Sequence, residues 1–117
     1  MTTNPNPRPV PGKPLVSEFA HDPDMRELVG MFVDEMPERI QSLQNLWQAR
    51  DLENLKRVAH QLKGASGGYG FTVVGKAAGE LEELIKNSGP AGPPEGQLTK
   101  LQTQVNELIG LCRRVSK

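Results

Sequence analysis

The chain of 117 residues predicts an all-α fold: an antiparallel four-helix bundle with a short additional N-terminal helix and a disordered proline-rich tail. Three observations carry this expectation. Apolar residues recur at helical period in successive stretches across most of the chain. No stretch alternates apolar and polar residues at strand period for long enough to propose a sheet. Helix start and stop signals fall between the stretches, at Asp22-Pro23, Asp51, Thr72 and Asn87-Ser88-Gly89-Pro90. Four amphipathic segments joined by short connections, preceded by one shorter helix, can bury their stripes only against one another.

Residues 1–19 form the expected tail and residues 20–117 the helical domain. Prolines at 5, 7, 9, 11 and 14 deny a helix its donors and favour an extended, solvated chain that acts as a spacer. Order begins at Asp22, an N-cap followed by Pro23 at the first helical position. Leu28, Val29, Phe32, Val33 and Met36 make the first stripe. Pro37 removes the bond to the carbonyl of Val33 and is expected to divide this short helix from the next. That next segment, Glu38 to about Arg50, places Ile40, Leu43, Leu46 and Trp47 on its inner side. Phe32 and Trp47 read as packing residues, and His21 as a loop histidine without metal-ligand partners.

Asp51 caps a helix running to about Ser66, with Leu55, Val58, Ala59, Leu62, Ala65 and Ser66 on one stripe. Thr72 opens another, with Val74, Ala77, Ala78, Leu81, Leu84 and Ile85 inside. Gly75 and Gly79 lie off that stripe; one hypothesis is that they leave room beside the preceding helix for a partner to dock. The last helix starts at Pro94 or Glu95 and runs to about Val115 through Leu98, Leu101, Val105, Leu108, Ile109 and Cys112. Arg113, Arg114 and Lys117 lie where cations meet the negative end of a helix dipole.

Composition narrows the function classes. Lys plus Arg equals Asp plus Glu at 14 each, so there is no net basic field for nucleic acid and no acidic tail. The single cysteine, Cys112, excludes an internal disulfide, fits a reducing compartment and reads as a small buried hydrophobe. No stretch reads as a secretory signal or a membrane span, which predicts a cytoplasmic protein. Polar outer faces make a monomer the default.

The informative stretch is Ala59-His60-Gln61-Leu62-Lys63-Gly64-Ala65-Ser66. At about 100° per residue, His60 lies roughly 160° from the middle of the apolar stripe and faces water. Lys56, Lys63, Gly64 and Gly67 share that outer face, because residues three and four apart on a helix are neighbours. Glycine inside a helix costs on the order of 1 kcal/mol relative to alanine. Either Gly64 ends the helix in the left-handed conformation, or another molecule must approach the backbone beside His60. Continuation of the stripe to Tyr69 favours the second.

The run His60-Gln61-Leu62-Lys63-Gly64-Ala65-Ser66-Gly67-Gly68-Tyr69-Gly70 resembles the signature of histidine-containing phosphotransfer domains, the HPt modules of two-component phosphorelays. That signature reads as His, any residue, an aliphatic, Lys or Arg, Gly, two small residues, two variable ones, an apolar residue and Gly. The resemblance extends from about Pro23 to Val115: Phe32 to Leu46 is similar to the family's amphipathic second helix, and Leu81-Glu82 to a Leu-Glu pair in the helix after the motif. Gly67 and Gly68 replace the more usual Ala and Asn, which leaves the end of the His60 helix open.

The resemblance implies a phosphocarrier: His60 as the phosphoacceptor on its ε nitrogen, Lys63 stabilising phosphoryl charge, and Gly64 giving a partner access. Lys56, Gln61 and Gly67 are secondary candidates. The implied partners are receiver domains of a hybrid histidine kinase or a response regulator, which would supply the required Mg²⁺; the chain itself would hold no metal and no cofactor. The residues agree with this chemistry. An exposed imidazole is a usable nucleophile near neutral pH, and a neighbouring cation offers the electrostatic support phosphoryl transfer needs. No Walker loop or kinase motif is present to bind ATP. Two competing readings are a non-phosphorylated helical adaptor that binds a receiver or kinase, and a general-base enzyme, for which no second catalytic group stands near His60. The phosphoryl-accepting domain of chemotaxis kinases shares the motif; the absence of a dimerisation or ATP-binding region after Val115 favours a free-standing carrier.

Overall fold

The computed structural model describes residues 13–88 and 95–117. Four helices, α1 (Arg26–Gln48), α2 (Leu52–Gly68), α3 (Thr72–Lys86) and α4 (Glu95–Arg114), are joined by two short strands, β1 (Leu15–Val16) and β2 (Val115–Ser116), which pair in parallel. α1 packs on α2 and α4, and α3 packs on the same two, so the helices close a ring around one core. Leu43, Leu55, Leu62, Val74, Leu81, Leu101 and Leu108 are fully buried at its centre. No helix among the described residues is long and apolar enough to cross a membrane.

Pro37 does not divide two helices. It lies inside α1, and among the described residues no separate helix precedes Arg26. The ring is exposed, so the missing donor falls on the solvent side. Val29, Phe32, Met36, Leu43 and Trp47 meanwhile form one buried stripe that runs past it. At about 1.5–3 kcal/mol per buried side chain, the stripe outweighs the roughly 3 kcal/mol that an interior proline costs. Asp22 opens a turn ahead of the helix rather than capping it. Its Oδ1 accepts from the Asp24 amide at 2.9 Å, and its carbonyl accepts from the Met25 and Arg26 amides at 3.0 Å.

Asp51 caps α2 as its position predicts, accepting the Asn54 amide at 3.3 Å. The helix then runs through Gly64, Gly67 and Gly68. It ends at the Tyr69 cap, where Gly70 takes a left-handed φ of 84°. The Phe71 amide reaches back to the Ser66 carbonyl at 2.7 Å and the Gly70 amide to Gly67 at 3.3 Å, the paired bonds of a Schellman stop. Gly64 is therefore an interior helical residue and not a terminator.

Thr72 is the first residue of α3, and its hydroxyl donates to Glu18 Oε2 at 2.7 Å instead of capping. Gly75 and Gly79 do not open a docking space for a partner; both face α2. A Cβ on Gly75 would sit 3.2 Å from the Lys63 carbonyl and 3.5 Å from the Gly67 amide nitrogen, so glycine here lets two backbones approach. On Gly79 its three nearest neighbours would all be atoms of the Lys63 side chain.

Of the expected tail, residues 1–12 lie outside the described residues. From Lys13 onward the expectation of a disordered tail to residue 19 is corrected, because this segment docks on the bundle. Leu15 and Phe19 pack against the core, and Ser17 is buried. The Ser17 hydroxyl donates to the Tyr69 carbonyl, the Glu18 amide to the Gly70 carbonyl at 2.9 Å, and Arg114 Nε to the Lys13 carbonyl at 2.8 Å. The corner after α2 exposes carbonyls that need donors, and this segment supplies them.

Candidate functional site

α2 divides its residues between two faces. Leu55, Ala59, Leu62 and Ser66 are buried against the other helices, while His60, Lys63, Gly64 and Gly67 are exposed on the opposite side. The His60 side chain is 68% exposed, so the ring stands in solvent although the helix beneath it is anchored.

The ring has a polar partner on the neighbouring helix. Its Nδ1 lies 2.8 Å from Oε2 of Glu82 on α3. An ionised carboxylate only accepts, so this contact favours the neutral tautomer with its proton on Nδ1 and its lone pair on Nε2. The other oxygen of Glu82 is 3.9 Å from Lys63 Nζ. One carboxylate, itself only 22% exposed, thus orients an imidazole and draws a cation to its side. At this exposure the Lys63 pair contributes little to stability; its consequence is where the ammonium is held.

The structure brings together two of the predicted residues, His60 and Lys63, and adds Glu82. Sequence periodicity missed the role of Glu82 because the contact crosses between helices. A signal was available: His60 and Glu82 lie at nearly equal chain distances on either side of the Gly70 corner, as two residues facing each other across a helical hairpin do. Gly64 lies one turn beyond His60, and a Cβ there, or on Gly67, would meet nothing within 4 Å. The backbone on this side is bare to an approaching molecule. Lys56 is turned to Glu53 at 3.6 Å and stays out of the cluster. Gln61 is exposed, but as the next residue along it is rotated by about 100° from His60.

A groove of about 570 Å³ lies between α1 and α4, lined by residues such as Gln44, Trp47, Arg50 and Arg113; it includes neither His60, Lys63 nor Glu82. Among the described residues no group of three or more His, Cys, Asp or Glu side chains is placed to hold a metal ion. The cluster thus sets an exposed imidazole beside a carboxylate and a cation, on a face open to approach.

The comparisons with curated proteins and with solved structures give no match. The family model described as the Hpt domain matches residues 27–111, which takes in all of α2 and α3 and most of α1 and α4. A match over that much of the chain means that the protein belongs to the Hpt domain family, the histidine phosphotransfer domains of phosphorelays.

Proposed function

We propose that this chain is a relay intermediate in which His60 takes a phosphoryl group from the aspartyl phosphate of one receiver domain and passes it to another. The observation that carries the reading is the 2.8 Å contact between His60 Nδ1 and Glu82 on an otherwise open face. It leaves Nε2 as the nucleophile. Nε2 gives its lone pair to phosphorus, the N–P bond forms, and the aspartate carboxylate leaves with the electron pair of the P–O bond. No proton is lost from Nε2, because it carries none. The ring becomes cationic while phosphorylated, and the Glu82 carboxylate at Nδ1 offsets that charge. Lys63 meets the phosphoryl oxygens, a role that electrostatic stabilisation of transferring phosphoryl groups demands.

Gly64 and Gly67 admit the partner's active-site loop. The Mg²⁺ for transfer belongs to the receiver, and the chain takes its phosphoryl group from that partner rather than from ATP. The closed ring of helices supports an antiparallel bundle as the rigid platform, acting as a cytoplasmic monomer.

The test is transfer of labelled phosphate from a phosphorylated receiver, with Mg²⁺, to the wild-type chain and to His60→Gln. Acid-labile, base-stable label on the wild type alone is the expected result. Label on both proteins would place the acceptor elsewhere. No label on either, across a panel of receivers, would favour a non-phosphorylated adaptor.

A further inference from the structure

We propose that Gly79 is a positioning residue for Lys63: the missing side chain makes a trough on α3 in which the lysine stem lies, aiming its ammonium at His60 and Glu82. This role in transfer rests on the phosphocarrier reading above. Lys63 is a long side chain on an exposed helical face, 56% exposed, and such a chain ordinarily samples many rotamers. Here it is laid across the neighbouring helix. A Cβ built on Gly79 would stand 3.2 Å from Lys63 Cδ, 3.5 Å from Cε and 3.7 Å from Cγ. All three of its nearest neighbours belong to that one side chain. The stem therefore occupies the volume that any other residue at 79 would claim.

The two glycines of α3 separate cleanly by what they touch. Gly75 faces the backbone of α2, at the Lys63 carbonyl and the Gly67 amide nitrogen, so its absence of a side chain sets the distance between helices. Gly79 faces a flexible side chain, so its absence of a side chain sets where that side chain goes. Interior glycine weakens α3 relative to alanine. At position 79 the atoms a side chain would meet first are those of the lysine stem, and its position accounts for that loss. The consequence for transfer is entropic and geometric: an ammonium already held near the ring does not have to be collected when phosphate arrives.

The experiment compares the full chain as wild type, Gly79→Ala, Lys63→Ala and the double variant, with Gly75→Ala as a packing control. Nuclear Overhauser contacts from Gly79 Hα to the Lys63 methylenes, and from those methylenes to His60, test the placement without any phosphoryl transfer. The wild type should show both, and Gly79→Ala should lose the contact to His60. Gly79→Ala should melt no lower than wild type, since helix propensity improves, yet accept phosphate from a receiver about fivefold more slowly. In the Lys63→Ala background the same substitution should change the transfer rate no further. Gly75→Ala should instead lower the melting temperature.

Absence of the Gly79–Lys63 contact in the wild type would overturn the proposal. An unchanged transfer rate in Gly79→Ala would also overturn it, as would a loss of equal size with Lys63 already removed. A wild type that shows the contacts but takes no label from any receiver would defeat the phosphocarrier reading and the role in transfer, while leaving the lysine placement standing.

Discussion

Glu82 is the residue whose role is hardest to see from the chain alone and easiest to see in the fold. His60, Lys63 and Gly64 share one face of one helix, so periodicity places them together without any tertiary information. Glu82 reaches His60 across 22 positions of sequence, and only the α2–α3 pairing makes them neighbours. On the proposed mechanism its carboxylate holds the proton on Nδ1, so Glu82→Ala should slow phosphoryl transfer about tenfold, the scale of one partly solvated charged hydrogen bond. Glu82→Gln, which can still accept from Nδ1, should recover part of that loss in the same transfer assay. Gly70 is the second residue whose identity follows from geometry. It has φ of 84°, and a Cβ there would lie 2.5 Å from Ser17 Oγ and 2.9 Å from the Glu18 amide nitrogen. Gly70→Ala should therefore cost at least about 1–3 kcal/mol in denaturant unfolding.

At the scale of the element, the existence of the helices was legible and their ends less so. The stripes of α2, α3 and α4 lie in nearly the positions that periodicity predicts, because each runs between strong punctuation marks such as Asp51 and Asn87-Ser88. The sequence divides α1 at Pro37 where the fold does not, because proline is a local signal and the burial that overrides it is not local. Pro37→Ala restores a donor for the Val33 carbonyl and removes a rigid residue from the unfolded chain. The first effect is the larger, so the variant should be about 1–2 kcal/mol more stable in urea unfolding. Arg50 shows the same limit from the other side. It takes a left-handed φ of 56° at the end of α1 without being glycine, its guanidinium carbon 3.9 Å from the centroid of the Trp47 ring. Nothing in local propensity marks it. The glycines of α3 were visible as an anomaly, but their purpose was not, since it depends on which helix lies opposite.

For the whole molecule, the anchored face of α2 and the face that carries His60 lie on opposite sides of the helix. The core holds α2 by Leu55, Ala59 and Leu62 while the ring of His60 stands outside it. The segment Lys13–Phe19 reads as tail because it continues the proline-rich run that ends at Pro14; the carbonyls of Tyr69 and Gly70, which draw it in, belong to a corner far along the chain. Cys112 on α4 reports on the integrity of the core. Burial pushes its thiol up from 9.0 to about 12, against a smaller opposing effect of Arg39. The folded state keeps this proton while the unfolded chain begins to release it near pH 9.0. The contribution is thus full below that pH and is lost as pH rises towards 12. Native protein should resist iodoacetamide near pH 9 and react once guanidinium unfolds it; rapid native labelling would contradict the buried placement.

The central claim is that Glu82 fixes the tautomer of His60 so that Nε2 carries the phosphoryl group. Long-range proton–nitrogen spectra of the ¹⁵N-labelled chain, before and after phosphorylation by a receiver domain, test it most directly. The expected result is a proton on His60 Nδ1 in both states and phosphorus coupled to Nε2 in the second. Phosphorus on Nδ1, or on no atom of His60, would contradict it.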